Sequence, residues 1–155
     1  MERRYRGALG RGGARLEPGS RDSAARTGCL ILLLGVLLAL CWLFPVTGDD
    51  WFREELGRGL KSPRELLETV ASGWLTYNGR AAGNLLAYAA GGRKVLREVL
   101  RALITLGTVS LAARNCGFRT AGGVLLAAAA LLALPRAMFA QIYPWAAGFF
   151  NYVPP

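Results

Sequence analysis

The apolar residues of the chain are gathered into blocks, and the charged residues lie between these blocks. The first block, 29–46, is uncharged over 18 residues, which is ~27 Å of α-helix at about 1.5 Å per residue. A second block, 95–113, carries charge only in its first two turns, and a third covers 121–140. Because these lengths match the hydrocarbon core of a bilayer, the pattern predicts an all-α protein with about three transmembrane helices.

The segment 47–94 is polar, and it contains two shorter predicted helices. A Ser-Pro-x-Glu sequence at 62–65 combines an N-cap, a proline at the first helical position and an acid at N3. It predicts an amphipathic helix over 63–76, lying on the outer membrane surface. The apolar face of this helix consists of Leu66, Leu67, Val70 and Trp74. A second helix is expected over 81–90, and it is too short to span a bilayer.

The first 27 residues hold seven arginines, three acids and little apolar content, which is typical of a disordered basic arm drawn to anionic lipid. Residues 28–155 then form the membrane domain. Because a basic segment precedes the first apolar block, a signal peptide is the competing interpretation of that block. We favour an uncleaved span, because the block is long and no Ala-x-Ala-like cleavage site follows it.

Composition narrows the class of protein. The chain has 155 residues, of which 53% are hydrophobic, and its net charge is +9. A positive mean hydropathy of +0.30 beside that charge argues against a soluble enzyme and against a disulfide-stapled secreted domain. The absence of histidine excludes imidazole metal sites and Ser-His or Cys-His nucleophile systems. No interleaved basic and aromatic patch is present, so nucleic acid is not an expected partner.

Basic residues in short loops predict the orientation. The N-terminal arm and the 114–120 turn are both basic, and three spans would place them on the same side. We therefore expect a multi-pass protein of the cell membrane with a cytoplasmic N-terminus, and with the 47–94 loop and the C-terminus outside. The loop carries seven basic residues of its own, which act against this bias, but six acids accompany them.

Two acids directly follow the first predicted span, and two interpretations of them stay open. Thr47-x-x-Asp50 fits a capping box, and either Asp49 or Asp50 can cap a helix that opens at residue 51. Alternatively, the pair holds a carboxylate at the outer membrane surface. There it would coordinate a divalent cation or accept a proton from a substrate hydroxyl.

Arginines form a stripe at the start of the second predicted span. Arg93, Arg97 and Arg101 recur at intervals of four, and Glu98 lies three residues before Arg101. Snorkelling to the headgroups and internal ion pairing are one explanation. A phosphate-bearing lipid is the other, because a charge about two turns into a span requires protein, water or an anion beside it.

Three motifs occur in a fixed order: GDDW at 48–51, WxxYNGR at 74–80 and PWAAGFFNY at 144–152. Over roughly 29–155 the chain resembles the N-terminal portion of an uncharacterised bacterial family of multi-spanning membrane proteins. That family is similar to the C-type glycosyltransferases, which use polyprenyl-phosphate sugar donors. Because complete C-type enzymes have many more spans, the resemblance implies either a part of such an enzyme or a truncated, inactive fragment of one.

The resemblance also implies roles for particular residues. Asp49 or Asp50 would be the catalytic base or a metal ligand in the first outer loop. The residues that match outer-face motifs, and are therefore expected at the substrate, are Asn78, Arg80, Asn151 and Tyr152. From position, the donor phosphates would be met by Arg80, Arg97 and Arg101.

A non-catalytic alternative remains open. A small membrane subunit could act through contacts with anionic lipid and through helix packing against other membrane subunits, at Gly122, Gly123 and the alanines of 127–130.

Overall fold

The computed structural model describes residues 20–76 and 79–154, which are largely helical and contain no strand. The all-α prediction is therefore confirmed. The helices are α1 (Ser20–Leu43), α2 (Asp50–Gly59), α3 (Pro63–Thr76), α4 (Ala81–Ala90), α5 (Lys94–Asn115), α6 (Ala121–Leu132), α7 (Arg136–Ile142) and α8 (Ala146–Tyr152).

The first helix begins earlier than the hydrophobic pattern predicts. Residues 20–27, expected in the basic arm, form the first two turns of α1, while 1–19 lie outside the described residues. The helix ends at Leu43, two residues before Pro45. A residue that precedes proline avoids the helical conformation, so Phe44 closes the helix.

The local signals in the loop specify its helices well. α3 covers 63–76 and α4 covers 81–90, as predicted. The Ser62 hydroxyl accepts a hydrogen bond from the Glu65 N–H at 3.2 Å, and the Glu65 carboxylate accepts one from the Lys61 N–H at 2.9 Å. The predicted single apolar face is divided, however, because Val70 is buried while Leu67 and Trp74 are each 59% exposed.

The third predicted span is not one helix. α6 ends at Leu132, α7 begins at Arg136, and the two helices are bent by 98°. Pro135 lies at the break, where it lacks an N–H and its ring clashes with the carbonyl four residues earlier. Pro135 therefore explains why the helix breaks at this position. The sequence pattern does not indicate that the bend reaches 98°.

Among the described helices, only α1 is by itself long and apolar enough to cross a membrane, over Arg21–Leu43. α6 and α7 reach that length together, as a bent pair. α5 coincides with the second predicted span, but four of its first eight residues are charged. A topology of three spans stays a prediction.

The helices pack as two groups that share α5. α1, α5 and α6 pack around Val109, Ala113 and Val124. The loop helices α2 and α4 pack with α8 at the N-terminal end of α5, around Phe149 and Phe150. The segments 48–51, 79–80 and 144–152, far apart in sequence, therefore meet at this end of the molecule.

Candidate functional site

Asp50, at the start of α2, connects the segment after α1 to α8. Its carboxylate oxygens accept hydrogen bonds from the backbone N–H groups of Ala146 at 3.1 Å and Ala147 at 2.7 Å. The Thr47 N–H approaches the same carboxylate at 3.5 Å, whereas the Asp50 N–H donates to the Thr47 backbone carbonyl, so the predicted capping box forms only in part. Asp50 is 4% exposed. A buried carboxylate that accepts several N–H bonds is held in one position.

Asp49 occupies the opposite environment. It is exposed at the N-cap of α2, and its side chain makes no capping hydrogen bond. Within 20–76 and 79–154, no group of three or more Cys, Asp or Glu side chains is arranged to hold a metal ion. A cation bound at Asp49 and Asp50 would thus require further ligands beyond the described residues. The Asp49 carboxylate itself is exposed to water.

Four buried charges form one ion network between α2 and α5. The Arg97 guanidinium donates to the carboxylate of Glu54 and, at 2.8 Å, to that of Glu98. Arg101 donates to Glu98 at 2.9 Å and to the backbone carbonyl of Tyr143. All four charged residues are at most 9% exposed. Two cations thus face two anions, which makes their burial tolerable.

This network decides between the two explanations of the arginine stripe. Internal ion pairing is confirmed for Arg97 and Arg101, and both guanidiniums point into the protein. A phosphate would have to displace a carboxylate to reach either of them. Arg93 differs, because it is exposed at the end of the stripe.

The remaining predicted site residues lie around α4 and α8. The Arg80 guanidinium lies 4.8 Å from the ring centroid of Tyr152, which is a cation–π distance. The Asn151 amide donates to the Ala147 carbonyl at 2.7 Å, while its side-chain oxygen is buried without a partner among the described residues. A Cβ at Gly83 would collide with Asn151. Asn78 lies outside the described residues.

The space at this junction is nearly filled. A cavity of about 10 Å³ lies between Asp50, Glu54 and Arg97, and such a volume holds one water molecule at most. Burial also raises the pKa of the Tyr143 phenol, whose ring stacks on Phe139. The junction therefore positions the loop segments, and the accessible chemistry lies on its exposed residues, Asp49, Arg80 and Tyr152.

Glu54 is the functional residue that the sequence reasoning missed. It shares a helical face with Asp50 and Gly57, at intervals of four and three, and all three are buried. Two acids four apart on a helix repel each other, so their pairing on one face is a signal that other groups compensate their charge. The position of the cation that Glu54 faces on α5 is visible only in the fold.

No protein-family model, no curated protein and no solved structure matches this chain. Over residues 20–76 and 79–154 the structure establishes an all-helical fold, in which α1 alone and α6 with α7 as a bent pair are long and apolar enough to cross a membrane.

Proposed function

We propose that this chain is a membrane protein that acts on a polyprenyl-phosphate sugar at the outer face, as a C-type glycosyltransferase or as a part of one. One observation carries the proposal. The three motif segments behind the resemblance come together, because Asp50 bonds the backbone of Ala146 and Ala147, and Arg80 lies over Tyr152.

Asp49 and Asp50 have different roles in this proposal. Asp50 fixes the first loop against α8, since its oxygens are already engaged by backbone N–H groups. Asp49, the exposed neighbour, is the general base or the metal ligand. Arg80 and Tyr152, both exposed, face the donor.

Membrane residence is part of the proposal, and α1 supports it. Only 6% of the residues in its most apolar stretch are buried. α1 packs on α5 and α6, yet most of its apolar residues keep an accessible surface. Such a surface needs another cover, and a bilayer supplies one.

The experiment compares variants of the full chain in vesicles that contain a labelled polyprenyl-phosphate sugar, with water or an added alcohol as the acceptor. The acceptor hydroxyl gives its proton to the base, its oxygen bonds to the sugar, and polyprenyl phosphate leaves. Asp49→Asn removes the proposed base, so release of sugar from the lipid should fall by about 100-fold or more. Glu55→Gln is the matched control, because Glu55 is an exposed acid on the same helix. Equal rates for Asp49→Asn and wild type would refute the role of Asp49. Wild-type release no faster than in protein-free vesicles would refute the proposed function.

A specific feature of α6 favours the alternative, a non-catalytic subunit. Its outward surface carries small residues, Gly122, Ala129 and Ala130, beside Leu125 and Leu126, each of which is 57% exposed. Small residues allow another helix to approach closely within a membrane. Cross-linking from a cysteine placed at Ala129 would test this, and capture of one defined membrane partner would favour the subunit role.

A further inference from the structure

The corner between α4 and α5 carries two exposed cations. Arg93 precedes α5 and donates a hydrogen bond to the Ala89 carbonyl at 2.7 Å, which leaves its charge uncompensated by a carboxylate. The Lys94 ammonium lies 4.2 Å from the ring centroid of Trp42. Neither cation belongs to any ion pair found within the described part of the chain.

Two concave surfaces meet at this corner, and Arg93 borders both. On one side lies a cleft of about 170 Å³ that also contains Lys61 and no acid. On the other side lies a shallow, wide-open groove along one face at the start of α5, lined by Arg93, Lys94, Val95, Leu96 and Val99. The groove is therefore cationic at its top and apolar along its length.

The chemistry of the groove identifies its occupant. Two cations at the N-terminal end of a 22-residue helix favour an anion, because the helix macrodipole adds positive charge there. Directly below them, Val95 is 63% exposed and Leu96 is 40% exposed. We call this corner the headgroup site, and it comprises Lys61, Arg93, Lys94, Val95, Leu96 and Val99. We infer that it binds the phosphate of an anionic lipid, with an acyl chain along the valine and leucine side chains.

The position of the site relative to α1 favours a lipid over a soluble phosphate. Trp42 lies one residue from the end of α1, and Lys94 sits on its ring. Tryptophan and lysine are typical at the level where a span leaves the hydrocarbon. This step rests on the membrane residence proposed above. A free phosphate would use the two cations and would leave the apolar part of the groove uncovered.

The inference differs from the sequence-based assignment of lipid phosphate to Arg97 and Arg101. Those guanidiniums are buried against Glu54 and Glu98. The cation at the exposed end of the same stripe, Arg93, is the one that a headgroup reaches.

The test measures lipid selectivity of the full chain in phosphatidylcholine vesicles that contain phosphatidylglycerol. Spin-labelled lipids report which species the protein holds at its surface. Wild type should prefer phosphatidylglycerol, and Arg93→Gln/Lys94→Gln should reduce that preference by about tenfold, since each basic residue near a membrane surface attracts anionic lipid. Arg114→Gln/Arg119→Gln is the matched control, because it removes the same charge from two exposed arginines at the far end of α5. Arg114 and Arg119 also attract anionic lipid from the opposite membrane surface, so this variant should lower the preference as well, but clearly less than Arg93→Gln/Lys94→Gln.

Val95→Asn separates a lipid from a free phosphate. It leaves the charge unchanged and makes the groove polar, so it should lower the preference for phosphatidylglycerol. If it has no effect while inorganic phosphate competes for the site, the occupant is a free phosphate and the lipid inference is wrong. Equal losses in the two double variants would also overturn it.

A carbonate wash distinguishes failure of this inference from failure of the proposed function. If the wild-type chain washes off the vesicles, the proposal of membrane residence is wrong, and so is the proposal of a headgroup site that depends on it. If the chain stays in the membrane without preferring phosphatidylglycerol, the headgroup site alone is wrong.

Discussion

Individual buried carboxylates connect the helices that meet at the N-terminal end of α5. Asp50 binds two backbone N–H groups of α8, and Glu98 binds two guanidiniums of its own helix. Each is almost completely removed from water. A buried charge is stable only while its partners are in place, so single substitutions at these positions should have large effects.

Asp50→Asn should lower the free energy of unfolding by about 2–3 kcal/mol, because charge-assisted hydrogen bonds are lost and the new amide hydrogens face other N–H donors. Thermal or denaturant unfolding in detergent measures this. Asp49→Asn, the exposed neighbour, is the control and should change stability by less than about 0.5 kcal/mol. Equal effects at the two positions would contradict the hydrogen bonds to Ala146 and Ala147.

Glu98→Gln should be more damaging still. It leaves Arg101 without a carboxylate and Arg97 with Glu54 alone, and breaking a buried pair in this way costs about 3–5 kcal/mol. The control is Glu68→Gln, which removes the exposed ion pair with Arg64 and should cost at most about 1 kcal/mol. Denaturant midpoints of the two variants provide the comparison, and similar midpoints would mean that the network does not stabilise the fold.

The buried ion pairs also show which contacts sequence spacing can predict and which it cannot. The Arg101–Glu98 pair was predictable, because residues three apart on a helix are neighbours. The Arg97–Glu54 pair joins residues 43 positions apart. No periodicity within either helix encodes that pairing; it depends on how α2 packs beside α5.

The helices α2 and α4 cross at short distance, and glycines lie at the point of contact. A Cβ at Gly57 would lie 2.6 Å from the Cα of Gly91 and 2.7 Å from the Tyr88 carbonyl oxygen. Real Cβ atoms do not tolerate such contacts with backbone, so any side chain here would push the two helices apart. This crossing also brings Glu54 to the level of Arg97.

Gly57→Ala should therefore destabilise the protein by about 1–3 kcal/mol, the usual cost of overpacking. Gly59→Ala is its control, because that glycine lies on the same helix with open space around it. There, alanine should be neutral or stabilising by up to about 1 kcal/mol, since it favours the helix. Melting temperatures of the two variants should move in different directions, and parallel shifts would contradict the close crossing.

How well the sequence predicts the structure also differs from one helix to another. α3 and α4 follow their local signals residue by residue. The segment 121–140 does not, because hydrophobicity reports burial or membrane insertion but not helix direction. Pro135 marks where the helix breaks, while contacts of α7 with α8 set the direction of the chain after the break.

The whole molecule places the exposed Cys116 and the half-buried Ser62 in different loops, which makes its topology measurable. Cys116 is exposed between α5 and α6, whereas Cys41 is buried and Cys29 is half-buried. In intact cells an impermeant thiol reagent should leave Cys116 unlabelled, and it should label Ser62→Cys in a Cys116→Ser background. Labelling of Cys116 with protection at 62 would invert the predicted orientation.

The bond between Asp50 and the N–H groups of Ala146 and Ala147 has a consequence for biosynthesis. The partners are 96 and 97 residues apart, so Asp50 emerges from the ribosome long before they exist. At about 5–20 residues per second, the acid waits roughly 5–20 s for them. During translation the segment around Asp50 thus stays without these partners until α8 has been made and can close it.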